Sequence, residues 1–378
     1  MTLANYKRFH APSKHAGVVG AAVGGTSRRR YRHSGRSVIY FAEMRVLLQA
    51  YSLISRPVCA WRAARYRNGR KTAGKVPLPV LSVGNLALGG AGKTPLVCEL
   101  IEYLLGRGYR PALVTRGYRG SWERRGGILS DGRTVFGGFR EAGDEPAMVV
   151  RRFPGVGVFV GRHRLPSCLR AESLGFDLCV LDDAFQHLGL ARDLDIVLHD
   201  PKSHAALREG ESALSRADIL LLPGRSEPGA AETYRRRFPR LKVFEYAVVP
   251  RGLVLEEGAP AVPPDVLRGK RVLAFAGIAR PERFFTLLET LGASVIERLV
   301  FPDHFSYSPA ACARISAAVS RLKPEMVLVT EKDAVKLAPA DRKFGGLPLS
   351  VLRIGIELPG GFYDCVEAVV SSMKAGHV

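Results

Sequence analysis

The stretch "GGAGKTP", Gly89 to Pro95, lies between an apolar run, "PLPVLSV" (77–83), and a helix-like segment, "LVCELIEYLL" (96–105). Clustered glycines let backbone N–H groups point inward at phosphate oxygens, and a helix beginning at Thr94 adds its positive end. In that reading Gly89, Gly90, Ala91 and Gly92 cradle the phosphates of a bound nucleotide. Lys93 reaches the β- and γ-phosphates, and the Thr94 hydroxyl ligates Mg²⁺. Pro95 suits a first helical turn, where its missing N–H costs nothing. Ala87 stands where the common G-x-x-x-x-G-K-[ST] pattern opens on glycine. A tight strand-to-helix turn would explain the glycines but not the Gly-Lys-Thr run.

Working outward, short apolar runs recur at Leu78–Val83, Ala112–Thr115, Gly157–Val160, Phe176–Leu181, Ile196–Leu198 and Ile219–Leu222. Strands that are continuously apolar, rather than alternating, belong to a parallel sheet covered on both faces, so the class is α/β. Proline and glycine accumulate over 244–269 and mark a boundary. A second, smaller α/β unit follows, with strands at Arg271–Ala276 and Met326–Thr330 and helices from Pro281 to Leu291 and Pro309 to Leu322. The run "LSVLRIGIEL" is expected to pair with the 242–256 strand as a two-stranded linker, returning a last helix to the first domain. The expected organisation is a basic, disordered extension over 1–38, a P-loop domain over 39–245, the smaller domain and linker over 246–358, and the C-terminal helix over 359–378.

A formal charge of +21 makes the surface attractive to nucleic acid, anionic lipid or a phosphorylated metabolite without choosing among them. No acidic residue precedes Glu43, while Lys7, Arg8, Lys14, Arg28, Arg29, Arg30, Arg32 and Arg36 do. The arm is read as sequence upstream of the true start, with Met44 the candidate, in preference to a targeting peptide. The run "VLLQAYSLIS" (46–55) is too short and polar to span a bilayer. With Arg62, Arg65, Arg67, Arg70, Lys71 and Lys75 beyond it and Trp61 and Tyr66 interleaved, it suits either a helix in a membrane interface or one packed on the body of the protein. The six cysteines form no C-x-x-C pair and read as reduced core residues. The histidines show no zinc spacing.

Several other stretches carry chemistry. "FDLCVLDDAFQH" (176–187) ends a buried strand in Asp182-Asp183, at the sheet edge where open α/β folds bind ligands. With the phosphate loop this makes a Mg²⁺ site. "EAGDEP" (141–146) puts Asp144 and Glu145 before an apolar helix, where an N-cap explains them equally well. "FPDHFSY" (301–307) places Asp303 and His304 before the helix from Pro309, where a cap with a solvent-facing histidine would serve. "TRGYRGSWERR" (115–125) is a basic loop beside the nucleotide site, and Arg208 with Glu209 is by itself a surface ion pair.

Together "VGNLALGGAGKTP", "TRGYRG", "GDEP", "LDDAFQH", "LREG", "RVLAFAGIARPERFF", "FPDHFSY" and "VTEKDAVKL", in that order, resemble the tetraacyldisaccharide 4'-kinase (lipid A 4'-kinase) family over roughly residues 40–370. The resemblance implies a P-loop kinase that transfers the γ-phosphate of ATP to the 4'-hydroxyl of tetraacyldisaccharide 1-phosphate in lipid A biosynthesis. It implies that Asp144 is the base, assisted by His304, with Lys93 stabilising the transferred group. Thr94, Asp182, Asp183 and Glu209 would surround Mg²⁺, Gln186, His187 and Arg208 would line the site, and Arg116 and Tyr118 would lie near the lipid headgroup.

The anionic, acylated acceptor implies docking through the basic amphipathic segment at the cytoplasmic face of the inner membrane, as a peripheral or monotopic protein, by a monomer with no nucleic-acid partner. Arg119 and Ala184 replace glycines of the family pattern and Gly210 replaces a proline, which bears on loop geometry and on Glu209. The rivals are a related P-loop NTPase with a soluble substrate and a basic nucleic-acid-binding protein. The second lacks any recognisable reading motif.

Overall fold

The computed structural model describes residues 52–87, 92–203 and 206–375. The extension over 1–38 and residues Gly89, Gly90 and Ala91 of the phosphate loop lie outside the described residues. Among the described residues the sheet has thirteen strands. Its first half contains β1 (Val80–Asn85), β2 (Pro111–Thr115), β3 (Gly127–Asp131), β4 (Gly157–Val160), β5 (Leu178–Asp182), β6 (Leu194–Leu198) and β7 (Ile219–Pro223). These continue into the long β8 (Lys242–Val254), in the order β8-β7-β6-β1-β5-β2-β4-β3.

All but β3 run parallel, and side chains on both faces of β1, β2, β5 and β6 are buried. This is why their sequences carry no alternation. β3, which the apolar runs do not reveal, closes the edge antiparallel to β4. It offers only Ile128 and Leu129 as an apolar pair, too little to register as a strand.

The second half contains β9 (Arg271–Ala276), β10 (Ser294–Val300), β11 (Met326–Thr330), the short β12 (Lys343–Phe344) and the long β13 (Leu347–Glu357). Its helices start where local chemistry says they should. Pro281 and Pro309 each open one, and Ser308 Oγ accepts from Ala311 N–H at the head of the second.

The halves join through β8 and β13. The first part of β8 pairs parallel with β7 (Ile219 with Lys242), while its second part pairs antiparallel with β13 (Val351 with Val254, Glu357 with Ala247). β13 in turn runs parallel to β11, and β11 to β9. Since β13 reverses the direction of β8, the carboxyl ends of β9, β10 and β11 point back toward the carboxyl ends of β1, β2 and β5. Two ligand-binding edges therefore face each other.

The C-terminal helix, Gly360–Ala375, buries Phe362, Cys365, Val366 and Val370 in the same core as Leu100, Ile101 and Leu104 of the helix Lys93–Gly106. That helix carries Lys93, so the last element of the chain braces the first functional one. Phe362→Ala is expected to lower unfolding free energy by about 3–5 kcal/mol in urea titration. A loss below about 1 kcal/mol would show the helix to be peripheral.

Candidate active site

The phosphate loop leaves β1 through Gly84 and Asn85. A Cβ on Gly84 would sit 2.5 Å from Phe185 Cβ, so only glycine lets β1 press against the turn after Asp183. Beyond Asn85 the chain is tied to the Leu207–Glu209 stretch. Leu86 C=O accepts from Arg208 N–H at 2.7 Å, and Ala87 bridges to Leu207. Gly92 takes the left-handed conformation, φ 85°, and starts the helix Lys93–Gly106, so Lys93 and Thr94 occupy its first turn. Lys93 Nζ donates to Asn85 Oδ1 at 3.1 Å and lies 3.3 Å from Asp183.

Asp182 ends β5 and Asp183 follows it in a left-handed conformation, φ 50°. Burial first, then the neighbouring Asp183 carboxylate, push the Asp182 carboxyl up to about 6 against the pull of Lys93. On Asp183 burial also acts upward, but Lys93 and Arg208 outweigh it and hold the carboxyl below its usual range. Arg208 Nη1 reaches both Asp183 oxygens at 3.0 Å.

Glu209, expected beside these acids, is not brought to them. It is buried, with its carboxylate 2.7 Å from Arg216, whose guanidinium covers the Phe185 ring. Gln186 does not open into the cleft through its amide N–H, which donates to Asn85 C=O at 2.9 Å and steadies the start of the loop. His187 is held neutral, its ring pushed down to about 4 by burial and then by Arg164 and Arg192.

Oxygen donors alone, two adjacent carboxylates and a hydroxyl in the first turn of the helix, suit Mg²⁺. That ion is commonly held by one or two carboxylates with water and substrate phosphates completing the shell. Among the described residues no group of three or more His, Cys, Asp or Glu side chains converges on one point. The fit therefore rests on Asp182, Asp183 and Thr94.

Opposite this edge lies a contact between the two halves. Asp144 opens the helix Asp144–Arg152, but its side chain caps nothing; Oδ2 accepts from, or pairs with, His304 Nδ1 at 3.0 Å. The cap that fits the sequence locally is thus replaced by a partner from the second half. Burial acts upward on Asp144, yet the hydrogen bond from His304 and the charges of Lys336 and Lys332 leave its carboxyl below the usual range.

His304 takes φ 62° after β10, and its ring meets that of Tyr118 edge to face, with the centroids 5.7 Å apart. Tyr118 reaches it because the 115–120 loop packs backbone to backbone on 141–143. A Cβ on Gly117 would meet Ala142 O at 2.7 Å, and one on Gly143 would meet Tyr118 O at 2.8 Å. Arg116 is exposed beside this loop and paired with Glu123 at 2.6 Å.

Sequence reasoning gave no role to Lys332 and Lys336, although both lie in "VTEKDAVKL". Lys332 Nζ stands 2.8 Å from Glu145 and 3.3 Å from His304 Nε2. Lys336 is fully buried between Asp333 (2.6 Å) and Asp144 (3.6 Å). Two lysines four apart just after a buried strand were the available signal, since that spacing puts both amines on one side of a helical turn.

The family model for tetraacyldisaccharide-1-P 4'-kinase (LpxK) matches residues 44–371. This chain belongs to that family. It is 39% identical over 335 residues to the tetraacyldisaccharide 4'-kinase of Anaeromyxobacter dehalogenans (strain 2CP-C), covering 84% of this chain and 87% of the relative. With that of Syntrophus aciditrophicus (strain SB) it is 36% identical, over 88% and 94% of the two chains. The crystal structure of LpxK from Aquifex aeolicus in complex with ATP superposes with a TM-score of 0.68 at 29% identity, covering 87% of this chain and 99% of that one.

The departures from the family pattern are accommodated. Arg119 occupies a left-handed position, φ 66°, which glycine adopts without strain. Its guanidinium donates to Asp303 C=O at 3.3 Å, a contact between the halves that glycine could not make. Ala184 is fully buried with its methyl group in a core cluster. Gly210 has φ −72°, a value that proline also adopts.

The tension at Asp182 has a measurable consequence in metal-free protein. Below 3.8, the ordinary aspartate value, folded and unfolded forms are both protonated and nothing is lost. As pH rises the unfolded chain ionises first, and stability falls until Asp182 itself ionises near 6. Asp182→Asn is therefore expected to raise the unfolding free energy from urea titration by ~1–2 kcal/mol at pH 8, with a higher midpoint, and hardly at all at pH 4. Equal midpoints at pH 8 would show that Asp182 carries no such burden.

Proposed function

We propose that this chain transfers the γ-phosphate of ATP to the 4'-hydroxyl of tetraacyldisaccharide 1-phosphate, the reaction after which its family is named. The carrying observation is the Asp144–His304 contact of 3.0 Å, which joins a buried carboxylate of the half that holds the Lys93–Asp183 pair to a histidine of the other half. Both His304 and Lys336 engage Oδ2 of Asp144. Oδ1 is then the atom that takes the proton of the attacking hydroxyl.

In the transfer, the sugar oxygen bonds to the γ-phosphorus as the bond to the departing ADP breaks, and the proton passes to Asp144. The transition state is loose, so the carboxylate contributes as much by aiming the hydroxyl as by basicity. His304 holds the carboxylate in place. Lys93 moves from its Asp183 and Asn85 partners to the phosphates, and Gly89 to Gly92 supply backbone N–H groups. Mg²⁺, held by Asp182, Asp183 and Thr94, would neutralise charge developing on the transferred group. Arg116 and Tyr118, beside His304, are placed to meet the anionic headgroup.

We further propose that the protein docks at the cytoplasmic face of the inner membrane through its first described helix, over 52–67. Leu53, Ile54, Val58 and Trp61 are 75, 69, 49 and 59% exposed and fall within one arc of that helix. The other side is anchored to the site, with Ser55 Oγ donating to Leu207 C=O. Arg65 stacks on Trp61, the pairing of cation and aromatic ring found at lipid interfaces. No helix among the described residues is long and apolar enough to cross a membrane.

Purified protein with Mg²⁺-ATP and the tetraacylated disaccharide phosphate should yield a product heavier by one phosphate. Asp144→Ala should slow turnover by roughly 10²- to 10⁴-fold. Undiminished turnover would remove Asp144 as the base. For docking, Leu53→Ser with Trp61→Ser is expected to reduce sedimentation with anionic vesicles while leaving ATP binding intact. Equal sedimentation of variant and wild type would place the lipid contact elsewhere.

A further inference from the structure

The motif "VTEKDAVKL" delivers two ammonium groups to the Asp144–His304 pair, and Lys332 has no part in the reaction as described. Thr330 Oγ1 accepts from Asp333 N–H and starts the short turn Glu331–Ala334 at the carboxyl end of β11. Asp333 fixes that turn to the loop after β9, accepting Gly277 N–H at 2.9 Å, and Gly277 C=O accepts from His304 N–H at 3.2 Å. His304 and Lys332 are thereby held to one backbone scaffold. From it Lys332 reaches across to Glu145 of the first half at 2.8 Å.

The groups facing the His304 ring are Asp144 on Nδ1, Lys332 and Asp303 on the Nε2 side, and Tyr118 at its edge, with Glu145 behind Lys332. An ammonium has donors and no acceptor, and a neutral imidazole has one nitrogen of each kind. Lys332 is the nearer polar group to Nε2, at 3.3 Å against 3.8 Å for Asp303 Oδ2, which favours Nε2 as the lone-pair nitrogen and leaves the ring proton on Nδ1, pointing at Asp144 Oδ2. The opposite tautomer would set a lone pair against a carboxylate and an N–H against an ammonium.

We propose that Lys332 is a positioning residue for the transfer: its ammonium fixes the tautomer of His304, which in turn orients the Asp144 carboxylate. It touches neither substrate nor reacting atom. Through Glu145 it makes that orientation depend on the two halves being in register, so the base is aimed only when the cleft is assembled.

The inference rests on Asp144 acting as the proton acceptor, and its test is separable from that reading. Long-range ¹⁵N NMR of histidine-labelled protein, with the His304 signals assigned by their loss in His304→Asn, reads the tautomer without substrate or turnover. Wild type should show Nδ1 protonated and Nε2 unprotonated. Lys332→Met should mix the two forms and lower kcat about 10- to 100-fold, the effect of losing a group that orients a ligand or base. KM for ATP should change by less than about twofold, a split that loss of folding would not produce. Lys332 is partly exposed, so the substitution opens no buried cavity. Lys332→Arg, which keeps a donor, should restore the wild-type nitrogen pattern and most of kcat. Unchanged nitrogen shifts in Lys332→Met, or a kcat within about twofold of wild type, would overturn the role.

Discussion

Everything functional in this chain depends on the antiparallel pairing of β8 with β13. A parallel sheet presents all its ligand-binding loops at one edge. Two such sheets joined in continuous parallel order would present both sets on the same side, with their loops competing for space. The reversal from β8 to β13 instead turns the second edge to face the first. The joint is held by more than its ladder. Arg251 reaches Glu99 and Ile356 C=O, and Arg152 bonds Ile354 C=O while pairing with Glu102 and Glu331. Val351 and Leu352 are buried on opposite faces of β13, in two different core clusters, so the joint is packed on both sides as well as hydrogen-bonded along its ladder.

Charge is distributed with the same logic. The surface as a whole is basic, but the cleft pairs each acid with a nearby cation: Asp183 with Lys93 and Arg208, Asp144 with His304 and Lys336, Glu145 with Lys332. Asp182 differs: burial and the neighbouring Asp183 carboxylate outweigh the pull of Lys93 and Arg164 and raise its carboxyl. Backbone strain collects at the same points. Asp183, His304 and Arg119 all lie at positive φ, a cost of the order of 1 kcal/mol each that the surrounding packing sustains.

The sequence carried the fold with little ambiguity, because continuously apolar runs and glycine-marked turns are local signals. Strands at Arg271–Ala276 and Met326–Thr330 and the helix Pro309–Leu322 stand where their residues place them. β3 escaped because Ile128 and Leu129 are its only apolar residues, too short a run to read as a strand. The site was legible in part. Lys93, Asp182 and Asp183 declare themselves by chemistry near a turn. Asp144 did not, since an acid at a helix start is favoured for capping and for the helix dipole whether or not it does anything else.

Composition and pattern alone determined a parallel α/β sheet, a phosphate-binding turn between β1 and its helix, and an excess of positive charge. These follow from hydrophobic burial and backbone geometry over a few residues at a time. The tertiary structure decided which acid is aimed and by what. Asp144 meets a histidine 160 positions away, Lys332 sets that histidine from 28 positions further on, and Glu209 turns from the expected cation site to Arg216. No local pattern encodes those choices, because each is made by packing between segments whose separation along the chain carries no information about their distance in space.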